Sequence, residues 1–339
     1  MSTVSVIIPC FNAEKTIRRT VRSVLRQTCR DLEIILVNDS SSDGTETILS
    51  QLAETDARIR VIHHEKNLGE GAARFTGVHA TGCRYLCFLD ADDTLTQDAI
   101  ATLLSVAEIE DADIVEGAHT RIIGKLGLVR KRCHVQNRIL CAPELMDDFF
   151  ISFFGVNILG VNAWGKLYKR DLFDRSSIGP TGFKRGEDLV MNMRLFPFVR
   201  KYVSIDKDIV HYYYGGVTSS LDTSFYDCSK KQYYLKLEMI DRYGYTKARR
   251  TTGIEMCNIL NTTVQQMLLA NCPHAAIRSF LEREASSGFL QEIASLAGES
   301  AKFVPIKNND LDGIINSMRS GLWKVRLRRT ISRLIARYL

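Results

Sequence analysis

The sequence predicts an α/β fold: a mostly parallel, twisted sheet with helices on both faces, followed by a helical C-terminal region. Three observations predict it. Short apolar runs alternate with segments of helical periodicity up to about residue 95, and polar loops rich in Asn and Asp follow the first, second and fourth runs. Beyond about residue 225 only helical spacing remains. Strands buried on both faces read as continuous apolar runs, whereas a half-exposed strand would alternate.

Val4 to Pro9 is the first such run, closed by a proline, and Ile17, Val21, Val24 and Leu25 follow at helical spacing. Glu33 to Val37 is the second strand, which breaks into Asn38-Asp39-Ser40 before the helical positions Ile48, Leu49 and Leu52. Arg60 to His63 reads as a third strand, Asn67 to Ala80 as a glycine-interrupted helix, and Tyr85 to Leu89 as a fourth strand running into Asp90-Ala91-Asp92-Asp93. In open sheets of this kind ligands bind beyond the carboxyl ends of the strands. The loops Phe11-Asn12, Asn38-Asp39-Ser40 and Asp90 to Asp93 are thus expected to converge on one crevice. Helical spacing resumes at Tyr233, Leu237 and Ile240, at Met256, Leu260, Val264 and Met267, and at Ile314, Ile315 and Met318. The expected division is a ligand-binding and catalytic domain over residues 1–220 and a helical region over 221–339.

With 339 residues, 45% of them hydrophobic and 25% charged, the chain can bury ordinary cores and is not a disordered segment. Its nine cysteines are scattered, without a Cys-x-x-Cys pair or a zinc-like His spacing, and read as reduced thiols. The opening MSTVSVIIPC lacks a basic n-region and reads as a strand rather than a secretory signal. Phe149 to Val161 is too short and too interrupted to span a bilayer, so a cytoplasmic protein is expected. The formal net charge is +6, and the acid-free segment Leu322 to Leu339 holds six basic residues that account for all of it. A nucleic-acid binder would spread such residues over its fold, so no nucleic-acid partner is expected. As a helix this segment sets Trp323, Leu327, Ile331, Leu334, Ile335 and Tyr338 on one face with basic side chains elsewhere. That pattern suits the anionic face of a membrane; the other reading is a terminal helix packed on the core.

Two acidic motifs carry chemistry. Asp90, Asp92 and Asp93 place three carboxylates within four residues at a strand end, where they repel one another unless a cation compensates them. Hard ions such as Mn²⁺ or Mg²⁺ take carboxylate and phosphate oxygens together. Asp93, ahead of a helical stretch, could instead cap a helix. Glu187-Asp188 stands at the start of a second probable helix, a place where acids also serve merely as dipole partners. His211 reads either as a metal ligand or diphosphate contact or as a structural histidine, Trp164 either as a sugar platform or as an interior side chain, and His63 and His64 as surface or capping groups.

Taken together these segments resemble glycosyltransferase family 2, the inverting enzymes of the Rossmann-like GT-A fold. The resemblance covers residues 3 to about 220, through VSVIIPCFNAEKTIRRTVRSVLRQT, EIILVNDSSSDGT, NLGEGAARFTGVHATGCRYLCFLDADD, AWGKLYKRDLF and GEDLVMN. It implies that Pro9, Phe11 and Asn12 line the base and ribose, that Asp39 accepts a base N–H, and that Arg74 orients the nucleotide. It likewise implies that Asp90, with Ala91, contacts ribose or donor sugar, that Lys166 belongs to the donor site, and that Asp92 binds the metal bridging the diphosphate. Asp188 would be the general base with Glu187 beside it. Where the family often has Tyr-Arg before a Thr-Ser segment, this chain has His211-Tyr212-Tyr213-Tyr214-Gly215-Gly216.

The implied partners are a nucleotide-sugar donor, with uridine as the base, and a glycan or lipid-linked glycan acceptor in cell-surface polysaccharide synthesis. A nicotinamide dehydrogenase is excluded because the first loop, PCFNAEKT, lacks G-x-G-x-x-G. A sugar nucleotidyltransferase usually carries a glycine-rich basic loop there, which is also missing. An inactive sugar-binding scaffold would have little reason to keep Asp39, Asp90, Asp92 and Asp188 together.

Overall fold

The computed structural model describes residues 2–123, 129–142, 144–146, 160–183, 185–213, 224–320 and 322. Residues 323–339, which carry the basic apolar-striped segment, lie outside them, as do 214–216. The described residues fall into two compact units, one running from the N-terminus to 146 and from 160 to 213, the other from 224 onward.

The first unit is built on a ten-stranded sheet. Its first half follows the sequence expectation: β1 (Val4–Cys10), α1 (Ile17–Leu25), β2 (Leu32–Asn38), α2 (Thr45–Thr55), β3 (Ile59–His63), α3 (Glu70–Ala80) and β4 (Tyr85–Phe88). These strands lie in the order β3-β2-β1-β4, all parallel, with Cys10 opposite Asn38 and Ile7 opposite Phe88. Every residue of β1 is buried, as its unbroken apolar run requires. Val4, Val6, Ile8 and Cys10 pack against Ile17, Val21 and Val24 of α1, each buried aliphatic side chain contributing roughly 1.5–3 kcal/mol. On the opposite face α3 lies so close to β1 that a Cβ on Gly77 would fall 2.3 Å from Ile7 Cγ2.

Beyond β4 the sheet becomes mixed. After β5 (Thr94–Leu95), α4 (Ala99–Glu110), β6 (Ile114–Ile123), β7 (Val129–Cys133) and β8 (Arg138–Cys141) come β9 (Lys166–Lys169), α5 (Asp171–Ser176), α6 (Glu187–Leu195) and β10 (Lys201–Tyr213). The order continues β4-β9-β6-β10-β5, with β9 antiparallel to both neighbours and β10 parallel to β6. Because α4 starts only at Ala99, Asp93 caps no helix.

The second unit is helical among its described residues: Ser224–Tyr243, Ala248–Leu269, His274–Ser286, Phe289–Ala297, Val304–Lys307 and Leu311–Ser320. Met256, Leu260 and Val264 share a core with Ile277, Leu281, Leu290, Ile293 and Ile314. No helix among the described residues is long and apolar enough to cross a membrane. All nine cysteines are free, and Cys10, Cys83, Cys87 and Cys257 are buried.

Candidate active site at the strand ends

The loops after β1 and β2 are stitched together before any ligand arrives. Pro9 is buried at the end of β1, Phe11 is exposed, and Asn12 takes a left-handed conformation that asparagine tolerates better than most residues. Asn12 Oδ1 accepts the Ser42 amide at 2.8 Å, and the Asn12 amide donates to Ser41 Oγ at 3.1 Å. Asp39 is buried and accepts the amides of Leu68 and Gly69, both at 2.8 Å, so its carboxylate organises the turn that leads into α3. His64 Nδ1 lies 2.7 Å from Asp39 Oδ1, and its Nε2 lies 2.9 Å from Thr76 Oγ1. The sequence gives His64 a surface or capping role, and the structure sets it against Asp39. Its position one residue past β3, on the edge where Asp39 ends β2, was the signal that could have placed it.

The centre of the site is Arg74. It sits one turn along α3 from Glu70, is fully buried, and meets four carboxylates. Its guanidinium donates to Glu70 and Asp188, to Asp90 Oδ1 at 2.8 Å and to Glu187 Oε1 at 3.4 Å. Glu187 and Asp188 open α6, which is introduced by Gly186 at φ 67°. The second oxygen of Asp188 accepts the Ala163 amide at 2.9 Å. Burial raises the carboxyls of Glu187 and Asp188 against the lowering effect of Arg74, whereas Glu70 keeps its outer side open to water. One cation cannot neutralise four acids, so the cluster retains negative charge or protons.

The acidic turn after β4 is held by main-chain and charged contacts. Asp93 donates its amide to Asp90 O at 3.1 Å; Ala91 O accepts Thr20 Oγ1 at 2.9 Å, and Asp92 O accepts Arg19 Nη2 at 2.6 Å. The Arg19 guanidinium lies 3.6 Å over the Tyr213 ring. Asp93 is buried, its Oδ1 accepts the Tyr213 amide at 2.8 Å, and its Oδ2 has no partner among the described residues. Burial, then the charge of Asp90, push its carboxyl up to about 8. The same two causes raise Asp92.

Among the described residues no three His, Cys, Asp or Glu side chains form a ready-made metal cage. Arg19 lowers the Asp92 and Asp93 carboxyls without cancelling their rise, so these acids nevertheless fit a divalent ion held by one or two carboxylates and completed by ligand oxygens. His211 is placed within the sheet, opposite Thr94 of β5 and Thr120 of β6. Lys166 is fully buried, 3.1 Å from Glu116 Oε1 and 2.7 Å from Asn162 O, so its ammonium is engaged inside the unit. Trp164 stacks on Tyr212 at 5.4 Å and meets His119 edge-on at 4.9 Å.

Known proteins share this arrangement of chain. The model of the family described as glycosyl transferase family 2 matches residues 5–175. EpsJ of Bacillus subtilis (strain 168), described as an uncharacterized glycosyltransferase, is 32% identical over 276 residues, which are 79% of this chain and 77% of EpsJ. TarP of Staphylococcus aureus (strain N315), named a poly(ribitol-phosphate) beta-N-acetylglucosaminyltransferase, is 29% identical over 221 residues, 62% of either chain. The crystal structure of S. aureus TarS 1-349 in complex with UDP-GlcNAc superimposes with a TM-score of 0.70, covering 94% of this chain and 92% of that one at 16% identity, which speaks for the fold alone. With half its length matched by the family model and over three quarters aligned with EpsJ, this chain belongs to glycosyltransferase family 2 and has the GT-A fold.

Proposed function

We propose that the chain is an inverting hexosyltransferase that moves a sugar from a UDP-activated donor to a hydroxyl of a cell-surface glycan or its lipid-linked precursor. The observation that carries this reading is the Arg74 bridge, which ties Asp90, on the acidic turn after β4, to Asp188, an acid opening α6. A donor-side acid and a proton acceptor are thereby set in one cluster.

In this reading Asp188 removes the proton from the acceptor hydroxyl as that oxygen bonds to the anomeric carbon and the bond from that carbon to the diphosphate breaks. Its oxygens are oriented by Arg74 and the Ala163 amide, and Glu187 stands beside it. Asp92 would hold Mn²⁺ or Mg²⁺, which supplies positive charge for the departing diphosphate. Phe11, Pro9 and Asn12 border the nucleotide side, and Asp39 fixes the turn at residues 68–69 beside them. Direct displacement without an enzyme nucleophile inverts the anomeric carbon, giving a β-linkage from an α-linked donor. The UDP-GlcNAc bound by TarS and the N-acetylglucosaminyl transfer named for TarP support a UDP-sugar and a wall-type acceptor. Cytoplasmic location, and contact of Leu322 to Leu339 with an anionic membrane surface, belong to the same proposal.

The test is a thermal-shift screen of UDP-, GDP- and ADP-sugars with and without Mn²⁺, followed by proton NMR of the product formed from the stabilising donor. A shift with UDP-sugars that needs metal, and a β-linked product, are expected. Equal stabilisation by all nucleotides, or an α-linked product, overturns the reading.

A further inference from the structure

The segment 160–163 just before β9 has five backbone polar groups tied by largely buried side chains. Glu116 Oε2 accepts the Gly160 amide at 3.2 Å. Asn192 Nδ2 donates to Val161 O at 2.9 Å and to Asn162 O at 3.2 Å, and Lys166 Nζ donates to the same Asn162 O at 2.7 Å. The Ala163 amide donates to Asp188, and Ala163 O lies 3.2 Å from the Tyr168 hydroxyl. That hydroxyl also lies 3.0 Å from Asn192 Oδ1, with a single proton to share. Glu116 is held in turn by Lys166 and the Tyr202 hydroxyl. There is no slack: a Cβ on Gly160 would fall 1.9 Å from Glu116 Oε1.

Lys166 and Asn192 therefore converge on the Asn162–Ala163 peptide whose amide grips Asp188, while Glu116 holds Lys166 and the Gly160 amide behind it. Asn192 lies four residues after Asp188, on the same face of α6, so this helix holds the segment at two points one turn apart. We propose that Asn192 and the buried Lys166–Glu116 pair are positioning residues: they fix segment 160–163 so that the Ala163 amide sets the rotamer of the Asp188 carboxylate. Lys166 acts from behind the base and not on the donor. The inference rests on the proposed role of Asp188, whose other charged and titratable neighbours are Arg74 and Glu70 of α3, Asp90 after β4, Glu187 of α6 and Tyr168 of β9.

The test uses the full chain labelled with ¹⁵N-alanine, in which Asp188→Asn identifies the Ala163 amide resonance by removing its carboxylate acceptor. Asn192→Leu, which keeps the branched skeleton but loses both polar atoms, and the double variant Lys166→Met/Glu116→Gln, which leaves no lone buried charge, should move that resonance in the same direction as Asp188→Asn. Affinity for UDP in the presence of Mn²⁺ should stay within about twofold, because neither change touches the nucleotide loops. An unmoved Ala163 resonance in both folded variants overturns the proposal, and so does a tenfold or greater loss of UDP affinity, which would return Lys166 to the donor site. If both variants fail to fold, Asn192→Ser is read by the same resonance. Full turnover by Asp188→Asn would remove the base assignment and leave the positioning of the carboxylate standing.

Discussion

The helical unit and the candidate site of the sheet unit bury charge by different rules. In the helical unit Lys236 is matched by Glu255, and Glu284 by Lys230 and Arg283, so cations equal or exceed acids at each site. At the candidate site one guanidinium faces four carboxylates, and Asp92 and Asp93 add a second acidic patch that Arg19 offsets only in part. Balanced pairs close a packing problem. An imbalance persists only where a substrate, proton or ion completes it, and this is what separates the candidate site from the other buried ion pairs.

The strongest way to break this contrast is to remove the cation. Arg74→Leu leaves Glu70, Asp90, Glu187 and Asp188 together, and losing one partner of a single buried pair already costs about 3–5 kcal/mol. Acids raised in the folded state favour folding at low pH, with that stability lost as pH rises through their folded values. Arg74→Leu should therefore be unfolded or strongly destabilised at about pH 8 and recover toward about pH 5, followed by circular dichroism. A variant as stable as the parent at both pH values removes the imbalance argument.

Next in size is Asp188→Asn, expected to cut transfer by roughly 10²-fold or more while UDP affinity is kept, measured by product formation and calorimetry. Near-normal turnover would hand the role to Glu187 or another acid. The contrast is sharpened by comparing the two buried lysines. Lys166→Met strands Glu116, whose side chain is 6% exposed, and should cost about 3–5 kcal/mol in denaturant titration. Lys236→Met leaves Glu255, 33% exposed, able to reach water, and should cost about 1 kcal/mol. Equal losses would show that burial of the remaining acid does not decide the cost.

A pH-dependent effect is expected at Asp93, whose carboxyl is pushed up to about 8 from an ordinary 3.8. Its contribution to stability is complete below about 4 and fades as pH rises toward about 8, because ionising it leaves a buried charge with one amide partner. Asp93→Asn should raise the melting temperature of the metal-free protein by a few degrees more at about pH 8 than at about pH 5. The opposite order would mean that Asp93 is ionised and compensated in the fold.

The parallel half of the sheet was legible because β1, β2 and β4 are continuous apolar runs, each ending in a polar loop. The mixed half was not. β10 carries Ser204, Asp206, Lys207 and Asp208 within a thirteen-residue strand, and its register slips between Ile205 and Val210, so neither alternation nor an apolar run announces it. Asp188 was legible as half of an acidic pair at a helix start, but its Ala163 partner is not, since a backbone amide has no sequence signature. Lys166 illustrates the converse: the family resemblance implies a place in the donor site, and the structure pairs its ammonium with Glu116, fifty residues earlier. The family resemblance implies that Arg74 orients the nucleotide, and only the three-dimensional arrangement shows it gathering acids from α3, the turn after β4 and α6.

The stitching of the first two loops has a kinetic meaning. Besides the Asn12 contacts, the Ala13 amide donates to Thr45 Oγ1 at 2.7 Å, the Glu14 amide to Asp43 at 3.2 Å, and the Gly44 amide to Glu14 at 3.0 Å. Segments so cross-linked have lost their conformational freedom during folding, so an incoming nucleotide has little left to order there. Their amides should exchange slowly with solvent deuterium even in the unliganded protein, and the nucleotide on-rate should follow diffusion and charge rather than loop closure.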